Sequence, residues 1–96
     1  MRSDAVLDLH LADTSEGGRT TLMGPGMYHG IVRFGAAQGF DMRCELMQAL
    51  APGERRVVDV AFLCPEDVKQ FLTEGREFTL WEGHDVGRGT VVRSSL

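Results

Sequence analysis

The groups in this 96-residue chain that could do chemistry are three histidines, two cysteines, fourteen acidic residues and a few serines. His10, His29 and His84 stand far apart, with no HxH or HxxxH spacing, so no metal site is expected. Cys44 and Cys64 fall on the apolar phases of alternating runs. Two buried, reduced thiols are the expectation, with a disulfide between neighbouring strands as the other option. A thiol nucleophile would need exposure and an adjacent base. Ser3, Ser15, Ser94 and Ser95 lie in loops or termini without a GxSxG turn, and nothing selects a working pair among the carboxylates. A phosphate-binding GxxxxGK[ST] loop is absent, and the single lysine, Lys69, lies in a helical stretch. Gly83-His84-Asp85-Val86-Gly87-Arg88-Gly89 is glycine-rich but opens no helix. No catalytic residue, cofactor, metal or nucleotide is therefore expected.

Trp81 offers a different kind of chemistry, a large ring for binding. It alternates with Phe78 and Leu80 and takes the same phase as Glu77 and Thr79, which places it on the outer face of its strand. Such a ring marks an interface, unless the nearby helix folds over and covers it. Phe71, on that helix, is the second aromatic residue assigned to the partner surface.

The elements that must position these residues follow a period of two. Ala5, Leu7, Leu9 and Leu11 alternate with Val6, Asp8 and His10. Similar runs carry Tyr28, Val32 and Phe34; Phe40, Met42, Cys44 and Leu46; Val58, Val60, Phe62 and Cys64; and Phe78 with Leu80. A short run from Thr90 to Val92 closes the chain. Each run suits a half-buried strand, and glycine and proline clusters separate them. These six strands predict an all-β domain over residues 1–96, a six-stranded antiparallel Greek-key barrel with one short helix. The helix is expected from Pro65 to Gly75, where Val68, Phe71 and Leu72 form one apolar stripe. Phe40, Leu46, Val58, Phe62, Phe78 and Leu80 are the expected core.

Hydrophobic residues at 43% and charged residues at 25% are those of a globular chain. A net charge of −4 lacks the positive excess that drives nonspecific nucleic-acid binding. No apolar run is long enough to span a membrane, and the N-terminal residues do not form a secretory signal, so a cytoplasmic protein is expected.

The order of short motifs resembles the C-terminal β-barrel, the third domain, of elongation factor Tu and related translational GTPases. Glu16-Gly17-Gly18-Arg19-Thr20-Thr21 follows the first strand, Leu50-Ala51-Pro52-Gly53 lies midway, and Glu77-Phe78-Thr79-Leu80-Trp81-Glu82-Gly83 leads into the closing hairpin. The likeness covers residues 4–93. It implies a six-stranded Greek-key barrel that is not catalytic, and that in the factor helps to hold aminoacyl-tRNA and meets protein partners. Carried over by position, Arg19, Thr20, Thr21, Gly83 and His84 are the implied binding-loop residues. The chain departs from the family where His84-Asp85 replaces Arg-Thr and where Tyr28-His29-Gly30 replaces Tyr-Arg-Pro. Both changes lower the positive charge on the RNA side. The expectation is a non-enzymatic binding module that contacts a protein, with a translation-associated RNA- or tRNA-binding module as the alternative.

Overall fold

The computed structural model describes residues 2–36 and 38–96. Six strands are present: β1 (Ala5–Leu11), β2 (Gly26–Arg33), β3 (Gly39–Leu46), β4 (Arg55–Phe62), β5 (Glu77–Trp81) and β6 (Asp85–Ser94). They close into an antiparallel barrel in the order β1-β4-β3-β2-β5-β6. β2, β3 and β4 are sequential neighbours, and β1 returns beside β4, which is the Greek-key connection. Closure leaves no terminal strand without a neighbour.

The alternation in sequence becomes the inside and outside of the barrel. Leu7, Leu9, Leu11, Val32, Val60, Phe62 and Leu80 are all essentially inaccessible. The six expected core residues are all buried. Met23 and Leu50, joined by paired backbone hydrogen bonds of 2.9 and 2.8 Å, are also fully buried.

The helical segment is shorter than its apolar stripe predicts. One α-helical turn, α1 (Pro65–Val68), passes into a 3-10 turn over Lys69–Phe71. Val68 and Leu72 are buried, and Phe71 stacks on Phe34 with ring centroids 5.3 Å apart. Phe40 and Phe78 complete this aromatic group through Phe34, and the Arg76 guanidinium sits 5.5 Å from the Phe71 ring centre. The segment acts as a stopper for one end of the barrel. An isolated helix this short would not hold its shape, so packing rather than propensity fixes it.

Two expectations are corrected. β6 begins at Asp85, well before Thr90, and runs through Gly87 and Gly89. The alternation in sequence marks only the stretch from Thr90 to Val92, after these glycines. Gly89 lies where β6 crosses close to β1, and a Cβ there would overlap the Asp8 carbonyl oxygen. The second correction concerns Cys64. β4 ends at Phe62, the chain turns, and Cys64 precedes α1 as an exposed residue rather than continuing the buried phase. Cys44 is buried, and burial pushes its thiol pKa up to about 11. Both thiols are free.

Candidate functional site

Two neighbouring features of the outer surface carry the residues singled out by sequence. The first is the meeting of two loops. After β1, Asp13 caps a 3-10 turn (Thr14–Glu16): its carboxylate accepts from the Ser15 N–H at 3.0 Å, while the Glu16 carboxylate accepts from the Asp13 N–H at 3.0 Å. This reciprocal capping box satisfies donors that the turn would leave free, and the hydrogen bonds from Ser15 hold the Asp13 carboxyl below its usual range. Gly17 then adopts a left-handed conformation (φ +85°), and Gly18 packs so tightly that a Cβ would overlap the Ala12 carbonyl oxygen. The two glycines of the Glu16–Arg19 motif thus have a local structural cause.

The turn delivers Arg19 to the closing hairpin. Its Nη1 meets Glu82 Oε2 at 2.6 Å, and its Nη2 donates to the Leu22 carbonyl at 3.0 Å and to Thr21 Oγ1 at 3.3 Å. The Tyr28 hydroxyl donates to the same Glu82 oxygen, and the Arg19 guanidinium lies 5.7 Å from the Tyr28 ring centre. Burial, reinforced by the Glu82 carboxylate, raises the Tyr28 pKa well above the usual phenol value. The Arg19 and Glu82 side chains are only 19% and 28% exposed, so this pair is partly shielded from solvent screening. Arg19 is thus a latch between the two loops.

The structure therefore brings Arg19 and Thr21 to the residue preceding Gly83. Thr20, Gly83 and His84 are exposed; Gly83 takes a left-handed φ of +82°, and the Glu82 N–H donates to the His84 carbonyl at 2.8 Å to close the turn.

The second feature is a cleft of about 680 Å³ on the outer wall. Trp81 and Ile31, paired in register on β5 and β2, form one side; Asp41 and Arg43 of β3 and Leu63 after β4 form the other. Trp81 does face outward, half-buried, with the Arg33 guanidinium 5.9 Å from its ring centre. Leu63 is 75% exposed. Arg2, Asp4 and the Phe62 backbone brace the base of this wall. Asp4, only 1% exposed, accepts from the Phe62 N–H at 2.9 Å and from Arg2 Nε at 2.8 Å, while Arg2 Nη2 donates to the Phe62 carbonyl at 3.0 Å.

Trp81 and Phe71, assigned to one partner surface by sequence, do not share a face. Trp81 lies outside the barrel, whereas the Phe71 ring packs with the inward-facing Phe34 at the barrel end. Phe71 is half-buried there, packed against the barrel's aromatic group. Sequence reasoning missed Glu82 and Asp4. Glu82 had one available signal, its position directly after Trp81; Asp4 had none, because a lone aspartate before a strand reads as solvated.

Among the described residues, no group of three or more His, Cys, Asp or Glu side chains is arranged to hold a metal ion. No helix of the described residues is long and apolar enough to cross a membrane. The site belongs to a closed six-stranded antiparallel barrel carrying an aromatic cleft on its wall. Comparison with family models and with curated proteins finds no match for this chain.

Proposed function

We propose that this barrel is a non-enzymatic binding module whose partner is a protein that docks in the Trp81 cleft. The observation that carries the reading is the pairing of a half-buried tryptophan with a 75% exposed leucine across one concavity. A partner's apolar side chain placed between Trp81 and Leu63 would remove both from water, the arrangement expected of an interface centre. The ordered motifs that resemble the third domain of elongation factor Tu support the same reading, since that domain meets proteins without catalysing a reaction. Two free thiols fit a reducing, cytoplasmic setting. The alternative, a translation-associated RNA or tRNA module, would draw on Arg19, and the Arg19 guanidinium is engaged by Glu82, Leu22 and Thr21.

Trp81 is the only tryptophan, so its fluorescence reports the cleft directly. The test is affinity capture with and without nuclease, followed by reconstitution with the purified captured protein. Binding that shields Trp81 from acrylamide and is lost in Leu63→Ser supports the proposal. Capture that nuclease abolishes, and that Arg19→Ala weakens while Leu63→Ser does not, would assign the surface to RNA instead.

A further inference from the structure

A second part of the wall points to a partner by a different observation, the interrupted pairing of β3 with β4. These strands stand in register at two positions only, Met42 opposite Phe62 and Arg43 opposite Ala61. Elsewhere β3 pairs along its length with β2, and β4 with β1. Across the seam the Leu63 N–H donates to the Asp41 carbonyl at 3.0 Å; on the far side of β4 the Asp4 N–H donates to the Val60 carbonyl at 2.8 Å. Backbone polar groups of successive residues point to opposite edges of a strand. Those of Glu45, Val57 and Asp59 therefore face the seam.

Further pairing of these strands would bring like charges together. Continuing the register of Arg43 and Ala61 would set Glu45 directly opposite Asp59, and Met47 opposite Val57. Like charges directly opposite destabilise a strand pair, and the ladder stops short of that position. Beside the two carboxylates, Met47 is 84% exposed and Val57 59%. Arg56, the cation that lines the groove, is already engaged: it donates to the Gln48 and Ala49 carbonyls at 2.6 and 3.1 Å. Among the described residues, Asp59 accepts from a neutral donor, the Ser3 hydroxyl, at 2.9 Å. The result is a groove of about 580 Å³ with an acidic pair, two exposed apolar side chains and free strand edge.

We infer that this seam receives a β-strand of a partner protein, an extended segment in which basic residues alternate with apolar ones. Main-chain hydrogen bonds to the exposed edge would supply affinity, and the side-chain pockets specificity. A lysine or arginine lying between Glu45 and Asp59 offsets their like charge, and its apolar neighbours cover Met47 and Val57. The chain's net charge of −4 favours the approach of such a segment. The inference does not depend on the Trp81 cleft.

The test uses the full chain and synthetic peptides of about eight residues, near the usual strand length. One alternates valine with lysine, a second valine with glutamate, and a third is the lysine peptide N-methylated along one edge. The lysine peptide is expected to slow amide exchange at Glu45, Val57 and Asp59, read by heteronuclear NMR. The glutamate and N-methylated peptides are expected to bind at least about tenfold more weakly, as lost charge complementarity and lost ladder bonds require. Glu45→Lys with Asp59→Lys should reverse the charge preference; the single Glu45→Gln, a milder change at an exposed site, should reduce it. Equal binding of both charges, indifference to N-methylation, or shifts confined to residues around Trp81 would overturn the inference. So would self-association of the chain that protects the same amides, since the seam would then belong to a second copy.

Discussion

Removing the Glu82 carboxylate should release two loops at once, and the size of the loss follows from what remains behind. In Glu82→Gln, Arg19 keeps the Leu22 carbonyl and Thr21 Oγ1 as acceptors but has a neutral amide oxygen in place of its carboxylate partner, while its Nε has no partner among the described residues. The buried Tyr28 hydroxyl exchanges a charged acceptor for a neutral one. Hydrogen bonds to charged groups contribute about 1.5–3 kcal/mol, and the partial exposure of Glu82 places this case near the lower end, at about 2 kcal/mol. Tyr28→Phe removes one bond and leaves the ion pair intact, so about 1 kcal/mol is expected. A domain of this size is held by roughly 5–10 kcal/mol, which puts both losses within reach of urea denaturation. The decisive measurement is the double-mutant cycle. Because Tyr28 and Arg19 share one carboxylate oxygen, Tyr28→Phe should cost little once Glu82 is already glutamine, giving a coupling of about 0.5–1 kcal/mol. Additive losses, or a Glu82→Gln variant as stable as the parent, would refute the latch.

Three further outcomes can be checked. Tyr28 is the only tyrosine, so absorbance at alkaline pH reads it alone. Its pKa is raised in the fold, so its contribution is fully present below the unfolded phenol value near 10, and is lost as pH rises toward the folded value. Phenolate should therefore appear together with global unfolding rather than before it; ionisation near pH 10 in a folded chain would contradict the burial of its hydroxyl. Asp8 has the opposite sign: Arg55, bonded to it at 2.8 and 2.5 Å, holds its carboxyl below the ordinary value of 3.8. Its contribution is present above that value and lost as pH falls through the lowered one, so Asp8→Asn should flatten the parent's acid destabilisation below about pH 4, and an unchanged acid limb would exclude the pair as a contributor. Gly89→Ala should destabilise by about 1–3 kcal/mol or prevent folding, because the added methyl overlaps the backbone of β1; an unchanged denaturation midpoint would mean that β1 and β6 are not in close contact.

Much of the barrel was legible because its signals are local. Leu7, Leu9 and Leu11, or Met42, Cys44 and Leu46, reveal their burial simply by alternating with charged neighbours. β6 was not legible because Gly87 and Gly89 have two readings: a glycine between strands and a glycine beneath a crossing strand look alike until the crossing is known. Cys64 failed for a related reason, since nothing in the alternation of β4 announces that it stops at Phe62. The outward phase of Trp81 was legible, but its neighbours were not. Ile31, Arg43 and Leu63 come from three other parts of the chain, and only strand order brings them to one cleft. The same holds for Asp4, whose role depends on Phe62, and for Glu45 and Asp59, whose conflict exists only in one register.

The two loops that carry most of the resemblance are accounted for by the barrel's own construction. Gly17 and Gly18 turn the chain, Arg19 reaches Glu82, and the closing hairpin is thereby held to the first long connection. The surfaces with unmet contacts lie elsewhere, at Leu63 and Trp81 and at Met47 and Val57 beside the open seam. These side chains make little contribution to the core, so changing them should alter what docks without altering the fold. A likeness carried by the loops therefore bears mainly on architecture, and the proposed docking is to be tested on the wall formed by β2, β3 and β4 and on the cleft where β5 meets it.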